Sequence, residues 1–368
     1  MVLSYEQFKD KIKNADKLLI YGAGVVAYGA YEAIGMICEK RIDAFIVSDS
    51  AENKKSLAGV AIKQVSEELF DGERTFVLVA TPEEYHAQIA EMLKADACKN
   101  FAFLTSHLEY CLMGEYLKMT EGIRCIEDEE IIFDTAKANL DASIYMAISH
   151  KDKELVKTYD EESFVKKIQV GASLTDTVLT GADLFDNVGE NISTENPIYG
   201  ELTATYHAWK NDLHDIMGLF HYRRVLKVTK EQLVMLDTGK ADVILPLPFV
   251  CYPDASGQYG RYLNQEDIEV MLEVLRDSYP GIYDKATEVL KGKHLYNYNM
   301  LIAKKEVFED YCAWMFSLLA EIAKRCEAVS RERLPRYIGR IGEVLTSVYF
   351  MINEKNWKIV HAEKVWRT

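Results

Sequence analysis

The 368-residue chain carries 43 Lys and Arg against 58 Asp and Glu, a net charge of −15, with 49% of its residues apolar. That length holds two domains with cores of their own, and the balance of apolar and charged residues is that of a globular chain. The acidic excess argues against a general nucleic-acid binder, which needs a basic footprint.

In chain order, the first segment alternates strand and helix. Residues 17–21 read as an apolar strand that runs into Gly22-Ala23-Gly24-Val25-Val26-Ala27 and a helix to about Cys38. Further strands are predicted over 42–47, 75–80 and 101–104, with helices over 65–70 and 82–94. This order predicts a parallel sheet covered on both faces, a Rossmann-like nucleotide-binding domain over residues 1–110. Gly22 suits a tight turn, Gly24 lets backbone approach a pyrophosphate, and Ala27 allows close helix–strand packing. Asp49, past the second strand, is placed to hydrogen-bond a ribose. Two readings stay open: a site for NAD or another nucleotide, and a scaffold turn that binds nothing.

A helical connector is expected over 111–142, followed by a second α/β set over 143–368. Its strands fall near 144–148, 168–170, 216–220 and 243–245, and the chain is largely helical from Gln265 apart from a strand over 298–303. Pro246, Pro248 and Pro253, with Gly257 and Gly260, mark a loop. The seven cysteines show no C-x-x-C pair, which predicts reduced thiols in a cytosolic protein. The first residues lack the pattern of a signal peptide, and no run approaches the roughly 20 apolar residues of a membrane span.

Rare residue types crowd between Asp183 and Arg224. Asp183, Asp186, Asn187 and Asn191 form a polar loop ahead of a helix over 201–211, with Glu201 in its first turn and Leu202, Thr205, Tyr206, Trp209 and Leu213 at core spacing. Asn191 and Ser193 read equally as helix caps. His207 and His214 lack a third partner for a metal and read as surface residues. His221-Tyr222-Arg223-Arg224 then ends an apolar strand. Buried guanidinium groups must be paired, and a phosphate-bearing ligand would pair them bidentately; the alternative is ordinary pairing with surface carboxylates. No D-x-D is present there, so fixed cations are expected to replace a divalent metal as the diphosphate counter-charge. Convergence of Asp183, Asp186 and Asp242 on Mn²⁺ is the alternative. Glu343, after Gly342, reads as a carboxylate opening a helix and as the general base. Lys324, Arg325, Arg331, Arg333, Arg336 and Arg340 read either as a patch for anionic lipid or an anionic acceptor, or as a solvated helix face.

These motifs resemble, in order from residue 143 to 366, a bacterial glycosyltransferase family linked with capsular polysaccharide synthesis and catalogued as domain of unknown function 4422. The carrying segments are Asn191-Ile192-Ser193, 201–211, 218–224, 241–246, Gln258-Tyr259, 298–302, 311–316 and 340–343. The resemblance implies a GT-A-like domain that moves a hexose, galactofuranose among the candidates, from a UDP-sugar to a cell-surface polysaccharide or lipid-linked glycan at the cytosolic membrane face. It places Asp183, Asp186, Asn187, Asn191, Glu201, Asn297 and Asn299 at the donor. Two departures stand out: the family's Glu-Arg-Leu is Glu343-Val344-Leu345 here, and the histidine expected shortly before Asp267 is absent, with Asn264 nearby. The first domain resembles the N-terminal domain of PglD-type sugar O-acyltransferases and also NAD-binding Rossmann domains. Rival readings are an NAD-dependent or nucleotide-sugar-modifying enzyme working through the first domain, and a non-catalytic subunit of polysaccharide assembly.

Overall fold

The structure, a computed structural model, describes residues 3–49, 55–72, 74–129, 140–329 and 332–367. Arg331 and part of the expected connector lie outside the described residues. By contact clustering, Met1–Ile123 with Phe249–Asp254 make one compact unit, and Arg124–Pro248 with Ala255–Arg367 a second.

In the first unit, α1 (Tyr5–Asn14) starts from a reciprocal capping box between Ser4 and Gln7. Strand β1 (Lys17–Tyr21) buries four of its five residues, which requires cover on both faces. Then come α2 (Val25–Ile37), β2 (Ala44–Val47), β3 (Ser56–Leu57), β4 (Val60–Gln64), β5 (Thr75–Val79), α3 (His86–Ala95), β6 (Phe101–Phe103) and α4 (Ser106–Glu121). The sheet order is β3-β4-β2-β1-β5-β6, parallel except for the β3–β4 pair. Strand order therefore reverses between β1 and β5, where doubly wound sheets open a crevice. Gly22 turns there with φ +115°, and a Cβ on it would stand 2.8 Å from the Ala80 carbonyl oxygen, so only glycine fits. Gly24 is the N-cap of α2, Ala27 is fully buried and Asp49 is exposed.

Two expectations for this unit need correcting. The helix over 65–70 is a single 3₁₀ turn, Val65–Glu67. Strand β4 escaped notice because its burial alternates and its apolar run is short. The connector expected from residue 111 falls inside a regular sixteen-residue helix, α4, which starts at Ser106, is capped by Thr105 and belongs to the first unit.

The second unit opens with β7 (Ala142–Ile148), β8 (Val165–Gln169), β9 (Leu184–Phe185), α5 (Asn196–Tyr199), α6 (Leu202–Asn211), β10 (Ile216–His221), β11 (Arg224–Leu226), α7 (Lys230–Asp237) and β12 (Val243–Pro246). After β13 (Phe249–Val250), which clusters with the first unit, come α8 (Ala255–Tyr259), α9 (Gln265–Ser278), α10 (Pro280–Lys291) and β14 (His294–Leu295). The chain closes with β15 (Leu301–Lys304), α11 (Lys305–Glu327), α12 (Tyr337–Ile352), β16 (Ile359–Ala362) and β17 (Lys364–Trp366). The main sheet runs β16-β12-β15-β10-β7-β8-β9, with β11 and β17 branching from β10. Strands β10, β7, β8 and β9 are parallel, while β15 lies antiparallel to β10 and β12. Ile144, Met146, Phe220, Ile244 and Ile302 form a core with Leu233 and Leu236 of α7. Helix α6 packs on β7 and β10, and α11 on β10 and β15.

The strand expected over 298–303 begins only at Leu301, because Tyr298 and Asn299 hold left-handed φ values of 80° and 50°. Leu213 is 80% exposed rather than in the core, since α6 ends at Asn211. His207, read as a surface residue, is buried. None of the seven cysteines is in a disulfide. Among the described residues no helix is long and apolar enough to cross a membrane.

Candidate active site

The parallel strands β7, β8 and β10 deliver the loops that follow them to one edge of the sheet. Strand β15 runs the other way, with Leu301 opposite Leu219, so the segment just before it, Asn297 to Met300, reaches the same edge. Carboxyl ends of strands in open α/β sheets are where ligands bind.

His221 is the last residue of β10. Its Nε2 stands 3.7 Å from Glu201 Oε1, too far for a hydrogen bond. Burial pulls the imidazole down to about 4 against the opposing charge of Glu201, so the ring is neutral at pH 7. Glu201, at the N-cap of α6, accepts from Asn299 Nδ2 at 3.0 Å and pairs with the Arg336 guanidinium. Burial alone would raise this carboxyl; His221, Arg336 and Asn299 together outweigh it and hold the group below its ordinary value. Asn299 also donates to the Gly339 carbonyl at 3.0 Å and accepts from Thr346 Oγ1 at 3.2 Å. Left-handed residues of this kind cost on the order of 1–3 kcal/mol each. The three hydrogen bonds of Asn299 and the stacking of Tyr298 offset that cost.

Arg224 opens β11 beside Trp366 of β17. Its guanidinium carbon lies 4.0 Å from the Trp366 ring centre and 4.5 Å from that of Tyr298, so the charge is within cation–π reach of two rings. Arg223 stands 5.9 Å from the same indole. Buried polar atoms without a protein partner gather on these segments: His150 Nδ1, His221 Nε2, Arg224 Nε and Asn297 Oδ1. Leaving such an atom unsatisfied costs about 1–3 kcal/mol, which a polar ligand would recover.

Glu343 does not open its helix. It lies in the second turn of α12, which starts at Tyr337 after Arg336 has taken a left-handed φ of 59°. The glycines around it serve close packing: a Cβ at Gly339 would stand 2.6 Å from the Tyr199 carbonyl oxygen, and one at Gly342 2.6 Å from Leu202 Cδ1. Glu343 keeps partial solvent access, yet protein surrounds most of it. Burial first, then the charge of Glu201, pushes its carboxyl up to about 8, with Arg336, Arg224 and Arg340 opposing.

Two further members are absent from the sequence reading of the site. Asp152, in the loop after β7, accepts from the Ser149 N–H at 2.6 Å. Burial raises it to about 6, while that N–H and the charges of Arg336 and Arg223 pull the other way. The polar run Ser149-His150-Lys151-Asp152-Lys153 directly after a predicted strand was its signal. Arg336 appeared only within the basic run, whose other described members are engaged elsewhere. Arg325 pairs with Glu321 and Asp277, Lys324 with Glu321 and Arg333 with Asp267, and Arg340 donates to the Tyr262 carbonyl.

The structure thus gathers His221, Arg223, Arg224, Glu201, Asn297, Asn299 and Glu343 at one edge. The polar loop is used differently. Asp186 is fully buried and accepts from the Gly171 and Ala172 N–H groups and from Ser193 Oγ, at 2.8, 3.0 and 2.5 Å. Asp183 accepts from the Lys167 N–H. Asn191 donates to the Asn187 and Gly189 carbonyls and accepts from the Ser193 N–H. Asp242 pairs with Lys304. Asp183, Asp186 and Asp242 therefore brace separate segments, and among the described residues no three His, Cys, Asp or Glu side chains converge. Gly22, Gly24, Ala27 and Asp49 belong to the other unit.

Residues 143–355 match the family model described as "Domain of unknown function (DUF4422)". The chain belongs to the DUF4422 family. The DUF4422 segment begins inside β7 and ends shortly after α12, so it contains every residue gathered at the edge. A solved structure described as the apo form of the bifunctional glycosyltransferase WbbM is similar at 23% identity and a TM-score of 0.53, over 62% of this chain and 46% of that one. The shared feature is the α/β fold, and less than half of that neighbour is covered. No curated protein matches.

Glu201 ties the site together, which gives a stability test. Glu201→Ala leaves the buried Asn299 amide short of an acceptor and is expected to cost about 2 kcal/mol. Urea unfolding at pH 7 measures this; an unchanged midpoint would show that the network carries no stability.

Proposed function

We propose that the second unit transfers a hexose from a UDP-sugar to a glycan or lipid-linked acceptor of a cell-surface polysaccharide. The observation that carries this reading is the pair of arginines at the end of β10, beside buried polar atoms without partners and a partly exposed, raised carboxyl. Arg223, Arg224 and Arg336 supply positive charge to the diphosphate, where a loose, charge-separated transition state needs it most. His221 is neutral and offers a hydrogen bond rather than a charge. The acceptor hydroxyl oxygen attacks the anomeric carbon as the bond to the diphosphate oxygen breaks. UDP departs with the electron pair, and Glu343, once ionised, takes the hydroxyl proton. Asn297 and Glu201 face the sugar, and Asp186, Asp183, Asn187 and Asn191 set the shape of the loops beside it. The likeness of fold to WbbM supports this assignment.

Fixed cations in place of a D-x-D imply that transfer needs no divalent metal. EDTA is expected to leave most of the activity intact, and complete loss reversed by Mn²⁺ would contradict the proposal. The function is tested by following UDP release from UDP-glucose, UDP-galactose and UDP-galactofuranose with hexose oligosaccharides as acceptors. Acceptor-dependent release from at least one donor is the expected result, and none from any of the three would count against a transferase.

A further inference from the structure

Helices α10, α11 and α12 line an open cavity of about 400 Å³ at the surface of the second unit. Its wall is aromatic. Tyr279 and Trp314 have ring centres 6.2 Å apart, Trp314 and Tyr349 5.5 Å apart, and each pair is inclined by 47°. Successive inclined rings make a curved wall rather than a flat stack. Along the segment Tyr311-Cys312-Ala313-Trp314-Met315-Phe316, the large side chains of Tyr311, Met315 and Phe316 are buried in the core. Trp314 and Ala313 of this segment line the cavity instead, with Trp314 partly buried.

The rim is polar. Asp310 is exposed and uses one carboxylate oxygen to accept from the Tyr349 hydroxyl at 2.5 Å. The Tyr279 and Ser317 hydroxyls are hydrogen-bonded at 3.3 Å, Ser317 also donates to the Trp314 carbonyl, and Asn353, whose amide donates to the Tyr349 carbonyl, completes the lining. Volume and lining fall within the range of small-molecule sites, apolar walls with a few convergent polar groups. A sugar ring matches this chemistry. Its C–H face lies flat on aromatic rings, and its hydroxyls donate to a carboxylate and exchange hydrogen bonds with hydroxyl and amide groups.

We propose that this cavity is a saccharide-binding subsite, which holds a sugar unit of the acceptor glycan apart from the point of bond formation. The inference rests on the reading that the acceptor is a glycan. Helix α12 contributes to both places: Glu343 faces the candidate active site, and Tyr349 floors the cavity about 9 Å further along the axis and about 120° round it. A quaternary ammonium ion is the competing occupant, because rings with a carboxylate also bind such cations. The hydroxyl and amide groups on the rim favour the saccharide.

The test is calorimetric titration of the full chain with galacto-oligosaccharides, with choline chloride and UDP in separate arms. Ala313→Trp fills the opening from an exposed helix position and so preserves the core; Trp314→Leu removes the platform, and Asp310→Ala removes the acceptor. Each is expected to weaken oligosaccharide binding by about tenfold or more, the scale of losing an aromatic anchor, with UDP binding unchanged. No oligosaccharide binding to the parent protein, binding that survives all three substitutions, or choline binding in its place would each overturn the inference. Loss of UDP binding in Arg224→Ala alongside any of those outcomes would leave the transferase reading standing while the subsite falls. Oligosaccharide binding that depends on the cavity, with no UDP binding to the parent, would do the reverse.

Discussion

Glu343→Gln is expected to lower transfer turnover by about 10²–10⁴-fold, the usual contribution of a positioned general base, while UDP affinity stays close to that of the parent. The pH profile gives the sharper test. A base with its carboxyl near 8 predicts kcat/KM rising with pH and levelling above about 8. If Asp152, near 6, were the base instead, the midpoint would fall about two units lower and Asp152→Asn would be the damaging change. Stability must move the opposite way. Glu343 is raised in the folded chain from its ordinary 4.5 to about 8, so between those values the folded state holds a proton that the unfolded state has released. Folding stability contributed at this site therefore falls as pH rises through that window. Glu343→Gln should flatten the fall, and parallel unfolding profiles for the two proteins would show that the carboxyl is not desolvated.

Arg224→Ala is expected to weaken UDP-sugar binding by about 2–3 kcal/mol, the scale of a charge-assisted contact to phosphate. Arg224→Lys should recover only part of this, since an ammonium lacks the planar fork and stacks less well against Tyr298 and Trp366. Arg223→Ala is expected to act in the same direction. Calorimetric titration with UDP, with near-ultraviolet circular dichroism to confirm folding, measures both. Unchanged affinity in Arg223→Ala and Arg224→Ala would remove the cluster from the active site.

The buried strands were legible because continuous apolar runs between turn residues have few other uses: β1, β5, β7, β10 and β12 all lie where those runs stand. Strand β4 was not, since none of its residues is fully buried and its apolar run is only three residues long. Within the site, His221, Arg223 and Arg224 announced themselves by being polar at the end of an apolar strand. Glu201 looked like a helix-dipole carboxylate. Its partner Arg336 lies 135 residues away, and no local pattern records a pairing of that kind. Asn299 and Tyr298 read as strand because composition is silent about a left-handed backbone. Asp186 read as a ligand contact, but its oxygens are taken up by two backbone N–H groups and a serine hydroxyl. Spacing alone cannot separate a carboxylate that braces a loop from one that meets a substrate.

The placing of the donor site in the second unit is the central claim, and one titration decides it: UDP-hexose into the full chain, its Gly24→Val form and its Arg224→Ala form. Gly24 sits at φ −94° and ψ −169°, extended backbone that valine adopts, and a side chain there would stand in the place of a phosphate at the glycine turn. Binding that is intact in Gly24→Val and weakened about thirtyfold or more in Arg224→Ala is the predicted result. Binding abolished by Gly24→Val and untouched by Arg224→Ala would place the donor in the first unit and contradict the account.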